Sequence, residues 1–161
     1  MMNRVIPENF VFDTWMGIEN IQDENKLVEL SQKFLETQSE LADFLLSSSD
    51  TFSEDISEFI YYAGVVIWIC FDRFFEKKLR KIDHNEIKDE LRDTEDQLIQ
   101  YSASESKSIW DQPFLVKYVM GLVFEFAQDY EESFKEDEEG LILLLLISHI
   151  NCLNQATSLS Q

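Results

Sequence analysis

The chain has 161 residues, a usual length for one domain, and 45% of them are hydrophobic, far more than a disordered acidic tail carries. Only 4 Gly and 2 Pro are present, which argues against sheet-rich folds, with their many turns, and favours helices. Lys and Arg number 13 against 32 Asp and Glu, and the resulting net charge of −19 disfavours direct binding to a nucleic-acid backbone.

The N-terminal segment 1–22 is predicted to be an arm packed on the rest of the protein. Phe10, Phe12 and Trp15 make it too apolar to remain free in solvent. Pro7 and the alternation of Phe10 with Phe12 spoil a clean helical period, so no helix is predicted there.

The first predicted helix runs from Asp23 to about Leu46. Its apolar residues fall on one helical face, where Gln38 is the one polar residue. The polar segment 47–51 then breaks the pattern.

The second predicted helix begins at a possible capping box, Thr51 with Glu54, and extends to about Arg80. It is apolar on both sides from Phe59 to Phe71, so we expect it at the centre of the fold. Cations near its end suit the negative end of the helix dipole. They are Arg73, Lys77, Lys78, Arg80 and Lys81.

The third predicted helix has the sharpest local start signal in the chain. Asp83 and Glu86 are spaced as a reciprocal capping pair, which predicts a helix from His84. The polar stretch 102–108 is expected to end this helix.

Two more helices are predicted in the last third of the chain. Asp111 is expected to cap the fourth, with Pro113 in its first turn and an end near Phe134. The acidic residues 136–139 suit the positive end of a fifth helix that reaches about Ala156.

These elements predict a single all-α domain, a bundle of about five helices over residues 23–156, with the arm 1–22 packed on it and a frayed tail 157–161. The chain begins without the pattern of a secretory signal, and its uncharged runs, such as Phe59–Phe71, are shorter than a membrane span. We therefore expect a cytoplasmic protein that does not bind membranes.

Two carboxylate pairs interrupt apolar runs, each pair one helical turn apart. They are Asp72 with Glu76 and Glu125 with Asp129. If the pairs faced each other, their oxygens could hold Mg²⁺, which would make the chain a metal-dependent hydrolase. The simpler interpretation is that each pair marks the solvent edge of its helix, and on that interpretation no metal or cofactor is expected.

The candidate nucleophiles and soft metal ligands show no catalytic spacing. Cys70 and Cys152 lie in apolar stretches without a CxxC motif, and no second pair completes a ligand set with His149 and Cys152. All three are predicted to be core or edge residues.

Acidic side chains are densest between residues 129 and 139. They are Asp129, Glu131, Glu132, Glu136, Asp137, Glu138 and Glu139. A solvated loop and helix start is one interpretation, and a docking face for a basic protein is the functional alternative. The leading functional hypothesis is thus a non-enzymatic acidic interaction module, such as an inhibitor or immunity protein for a basic partner.

The fourth and fifth predicted helices have wide apolar faces, at Phe114–Phe126 and Leu141–Ile147. Both exceed a single stripe facing the core, and large uncovered apolar patches are unusual on monomers. A two-fold homodimer is the simplest way to cover them.

Overall fold

The computed structural model describes residues 4–103, 110–130 and 137–157, and these ranges hold seven α-helices and no strand. The helices are α1 (Glu8–Glu19), α2 (Glu24–Thr37), α3 (Ser39–Ser49), α4 (Glu54–Phe74), α5 (His84–Ala103), α6 (Pro113–Asp129) and α7 (Glu138–Ala156). The predicted all-α bundle is confirmed, whereas the predicted count of about five helices is too low.

The N-terminal segment packs on the bundle as predicted, but it does so as helix α1. Pro7 precedes the helix with an extended backbone, and its carbonyl accepts from the Val11 amide at 3.1 Å. The face that includes Val11 and Trp15 is buried, and α1 packs against α4 and α6. Phe12 is exposed, so the apparent alternation of Phe10 with Phe12 reflects two sides of a helix.

The first predicted helix is in fact two helices, α2 and α3, which are separated at Gln38. The backbone of Gln38 leaves the helical region, with φ −131° and ψ 56°. Its side chain is buried and accepts from the Ile82 amide at 3.0 Å while it donates to the Arg80 carbonyl at 2.8 Å. The polar residue on the apolar face thus pairs with a distant segment of the chain.

Helix α4 begins at Glu54, directly after the short loop that follows α3. Its N-cap is Ser53 rather than Thr51, since the Ser53 hydroxyl accepts from the Ile56 amide at 3.4 Å. Glu54 and Asp55 then occupy the first turn, where their charges suit the helix dipole.

Helix α4 ends at Phe74, earlier than the predicted end at Arg80. Two consecutive residues after it, Glu76 and Lys77, have φ of 57° and 63°, values that favour glycine. The Lys77 amide donates back to the Asp72 carbonyl at 2.7 Å, and this bond closes the end of the helix.

Replacing Glu76 with glycine is expected to raise the free energy of unfolding by about 0.5 to 1 kcal/mol, because glycine adopts a positive φ without strain from a Cβ atom. Urea unfolding measures the change. Lys78→Gly is the control, since the positive-φ residues do not include Lys78. A similar loss of stability in both variants would contradict this account of the turn.

The predicted start of α5 is confirmed. The Glu86 amide donates to the Asp83 carboxylate at 2.9 Å, and the Asp83 amide donates to the Glu86 carboxylate at 3.2 Å. Arg80 adds two hydrogen bonds to Glu86, and these bonds are the main cause that lowers the pKa of that carboxyl. Ile82 and Ile87 are buried on either side of the capping pair.

Helix α6 differs from its predicted bounds by a few residues, whereas α7 ends at Ala156, as predicted. Gln112, not Asp111, precedes α6, which ends at Asp129, while the predicted end at Phe134 lies outside the described residues. Pro113 is in the first turn, as predicted. Helix α7 begins at Glu138, within the acidic group that was expected to precede it.

Helices α4 and α7 form the centre of the bundle. As predicted, α4 is largely buried, and it packs against α1, α2, α3 and α7. Helix α7 shares this position because α3, α4, α5 and α6 surround it. Among the described helices, α7 alone has the length and composition of a membrane span, and 67% of that stretch is buried inside the bundle.

Candidate functional site

An open groove of about 720 Å³ lies between α2 and α3, with α4 as its floor. Helices α2 and α3 meet at Gln38, and the groove lies between their halves that are remote from this junction. Gln38, whose buried side chain bonds to Arg80 and Ile82, lies at the junction of the two helices that form the walls of the groove.

The lining of the groove is mainly apolar. Tyr61, Tyr62 and Val65 contribute to the floor from α4. Two apolar side chains of the walls are exposed, since Val28 of α2 is 54% exposed and Leu46 of α3 is 42% exposed. Exposed apolar side chains beside an apolar floor are typical of a binding surface.

The charged side chains that line the groove are all acidic. Asp43 and Asp50 lie on the α3 side, and Glu58 lies on α4. All three are exposed, and no Lys or Arg contributes to the lining. The groove therefore offers apolar contact to a ligand whose flanking charges are positive.

A polar contact crosses one wall of the groove. The Ser31 hydroxyl of α2 and the Tyr61 hydroxyl of α4 lie 3.0 Å apart and share a hydrogen bond. This bond ties α2 to the floor, while Val28, one turn earlier, remains exposed.

The structure places the two predicted metal-binding pairs in different surroundings. Asp72 lines a cleft between α2 and α4, whereas Glu125 lines a separate cavity beside α1 and α6. Glu76 follows α4 and lies 4.0 Å from Lys78, and Asp129 is the last residue of α6. In the described parts of the chain, no three His, Cys, Asp or Glu side chains group closely enough to hold a metal ion.

Burial raises the pKa of Asp72, and the charges of Lys77, Lys33 and Arg73 partly offset this effect. The nearby cations would repel a divalent metal ion. The cations around Asp72 thus disfavour a metal ion at this carboxylate.

The predicted acidic docking stretch is only partly within the described residues, since Glu131, Glu132 and Glu136 lie outside them. Asp137 and Glu139 are exposed, whereas Glu138 is only 9% exposed. Glu138 and Glu139 occupy the first turn of α7, where the helix dipole favours acidic residues.

The thiols are core residues, as the sequence predicts. Both Cys70 and Cys152 are buried, and burial raises the pKa of Cys70 to about 12. Burial also raises the pKa of Cys152. Both thiols are therefore protonated at neutral pH and are poor nucleophiles.

His149 is fully buried at the meeting point of α3, α4 and α7. Its Nε2 lies 2.8 Å from the Gly64 carbonyl, to which it donates, while Nδ1 lacks a hydrogen-bond partner among the described residues. Burial lowers the pKa of His149 from 6.5 to about 4, so the ring is neutral at pH 7. Gly64 permits this packing because a Cβ atom there would collide with the side chain of Leu45.

The homodimer was predicted from the apolar faces of α6 and α7, and the structure covers these two faces to different extents. Neighbouring helices cover most of α7, although Leu141 near its start is exposed. On α6, Phe114 and Phe124 are exposed. Homodimer formation thus stays a prediction, and the exposed apolar side chains that could take part in it lie mainly on α6 among the described residues.

Comparison with known protein families, with curated proteins and with solved structures finds no match for this chain. The groove and its charges are therefore the basis for a functional proposal. The sequence analysis did not predict this groove. Val28 and Leu46 were a signal for it, because they add apolar surface beyond the buried face of the first predicted helix.

Proposed function

We propose that the protein is a non-enzymatic interaction module that binds a basic protein partner through the groove between α2, α3 and α4. The observation that carries this proposal is the apolar groove whose lining charges are all acidic. An inhibitor or immunity protein for a basic enzyme would have this function, as would an adaptor for a basic protein.

The groove suits an amphipathic helical segment of the partner. Such a segment places its apolar side chains in a groove and its charged side chains at the rim. Here Val28 and Leu46 offer contact on the two walls, and Asp43, Asp50 and Glu58 offer carboxylates to Lys and Arg of the partner. The net charge of −19 attracts a basic partner at long range and accelerates encounter.

The acidic stretch from Asp129 to Glu139 is proposed as a second contact. It would increase the rate of association by its charge, while the groove would supply the apolar contact. A single experiment separates these contributions, because the two surfaces can be neutralised independently.

A labelled amphipathic peptide of leucine and lysine, with leucines at i, i+3, i+4 and i+7, is expected to bind at least tenfold more tightly than a scrambled peptide of equal composition. Val28→Ser and Leu46→Ser together should weaken binding on the order of tenfold, since two apolar contacts are lost. Fluorescence anisotropy measures both effects. Phe124→Ser is the control, because Phe124 is equally exposed but lies on α6, outside the groove.

Three charge variants complete the test. Neutralising Asp43, Asp50 and Glu58 should slow association and flatten its salt dependence. The same number of changes at Asp93, Glu95 and Asp96, which are exposed on α5, should have a smaller effect. Neutralising Glu131, Glu132 and Glu136 measures the contribution of the acidic stretch.

Equal binding of the amphipathic and scrambled peptides would contradict the groove as a docking site. A calorimetric titration with Mg²⁺ or Mn²⁺ tests the alternative hydrolase hypothesis, which requires a stoichiometric metal site. Loss of such a site in Asp72→Asn would support that alternative.

A further inference from the structure

A second cavity, the cationic cleft, lies between α2 and the C-terminal end of α4 and encloses about 460 Å³. Four cations and two carboxylates line it. They are Lys26, Lys33, Arg73 and Lys77, with Glu29 and Asp72. The cleft shares Leu30 and Ile69 with the groove, and its other lining residues are different ones.

The charge of this cleft opposes that of the whole chain. The protein has a net charge of −19 and only 13 Lys and Arg, yet four of these cations line one cavity. None of the four forms a salt bridge with a residue in the described ranges, although the chain has an excess of carboxylates. The cleft therefore retains two positive charges beyond those that its own carboxylates balance.

The remaining lining of the cationic cleft is largely apolar. Trp68 and Ile69 of α4 contribute on one side, and Leu30 of α2 and Leu79 contribute beside them. A ligand that fills the cleft would thus contact cations with one part and apolar side chains with another.

The turn after α4 brings Lys77 into this lining. Lys77 has φ 63°, a strained value for a residue with a side chain, and its amide is bonded to the Asp72 carbonyl. Strained backbone of this kind is common at ligand sites, where it positions a functional group. In this turn it places the Lys77 cation beside those of Lys33 and Arg73.

We propose that the cationic cleft binds a small organic phosphate monoester. The phosphate group accepts hydrogen bonds from Lys33, Arg73 and Lys77, and the organic part lies against the apolar lining near Trp68. A phosphate monoester carries a charge of about −1.5 to −2 at pH 7, which matches the two uncompensated positive charges. Arg and Lys are the side chains that bind phosphate most readily, since they form charge-assisted hydrogen bonds with its oxygens.

The charged residues of this site are separate from those of the proposed interaction with a basic partner. The groove acids Asp43, Asp50 and Glu58 do not line the cationic cleft, and the four cations do not line the groove. The cleft is also too small for a nucleic-acid strand, and the acidic remainder of the surface would repel the further phosphates of such a strand.

Isothermal titration of the full chain with phenyl phosphate, in a buffer without phosphate, tests the proposal. We expect saturable binding with one site, weaker binding of inorganic phosphate, and no binding of phenol. Lys33→Gln and Arg73→Gln should each weaken phenyl phosphate binding about tenfold, because each removes a charge-assisted contact. Lys88→Gln removes the same charge from an exposed position on α5 and should leave the affinity unchanged.

Asp72→Asn distinguishes an anion site from a cation site. It removes a carboxylate from beside Lys33, Lys77 and Arg73, so it should strengthen phenyl phosphate binding several-fold. Weaker binding in this variant would overturn the proposal.

Other outcomes also overturn the assignment. Absence of saturable binding would do so, as would an equal loss of affinity in Lys33→Gln and Lys88→Gln, because diffuse charge would then explain the interaction. Equal affinities for inorganic phosphate and phenyl phosphate would contradict the proposed contact between the organic part and the apolar lining. A phosphotyrosine peptide that binds more tightly than phenyl phosphate would overturn the small-molecule assignment in favour of a phosphorylated protein.

Discussion

Between pH 7 and pH 4, the free energy of unfolding of the wild-type protein is expected to fall by about 3 kcal/mol more than that of a His149→Met variant. In the folded protein, burial lowers the pKa of His149 to about 4, against 6.5 for the unpaired side chain. The unfolded state therefore takes up this proton first as the pH falls. The contribution of His149 to stability is fully present above pH 6.5 and is lost progressively as the pH falls toward 4.

The comparison with a variant isolates this contribution from those of the carboxyl groups. Burial raises the pKa of Asp72 and of Glu90, so their protonation acts in the opposite direction in the acidic range. Both groups remain in the variant, and their contributions cancel in the difference. Methionine can fill an irregular core site without a titratable group.

Urea unfolding of both proteins at a series of pH values from 7 to 4 gives the difference. His84→Gln is the control, since it removes an exposed imidazole at the start of α5 and leaves the buried imidazole of His149 in place. Parallel profiles of the wild type and His149→Met would show that the burial of His149 does not determine the acid sensitivity.

Replacing Gln38 with leucine is expected to lower the free energy of unfolding by about 3 kcal/mol, an effect of similar size. The amide side chain pairs with the Arg80 carbonyl at 2.8 Å and with the Ile82 amide at 3.0 Å, and Ile82 is buried. Leucine fills a similar volume but leaves both backbone groups unpaired. An unpaired buried polar group costs about 1 to 3 kcal/mol.

Chemical denaturation monitored by circular dichroism measures this loss. Gln32→Leu is a matched control, because Gln32 is exposed on α2 and its replacement should change stability by less than about 0.5 kcal/mol. A loss below about 1 kcal/mol in Gln38→Leu would mean that water satisfies the freed backbone groups. Gln38 would then not be needed to hold the segment before α5.

Several features of the fold follow from local sequence alone. The scarcity of Gly and Pro and the spacing of apolar residues predicted a helical bundle, and the structure confirms both the class and the central position of α4. The start of α5 at His84 was predicted because Asp83 and Glu86 cap each other within one turn. Such a contact involves neighbours in the chain, so the sequence contains all the information it requires.

Other boundaries depend on contacts that the sequence pattern does not reveal. The helical pattern of the sequence continues through Gln38. The helix is nevertheless interrupted at this residue, where the Gln38 side chain pairs with residues 80 and 82. Similarly, α4 ends before Glu76 and Lys77, which adopt positive φ without the glycine that usually signals such a turn. The N-terminal arm is helical because its apolar face can be buried against α4 and α6.

The candidate sites depend on tertiary structure even more strongly. Leu46 and Val28 belong to two helices that meet at Gln38, and only the packing of α2 and α3 on α4 places them around one groove. Lys33 and Arg73 become neighbours when α2 packs beside α4. The sequence determined the apolar content, the acidic charge and the helical class, since these arise from composition and short-range spacing. Tertiary structure decided which exposed side chains converge, because convergence requires the burial of helices that are distant in the chain.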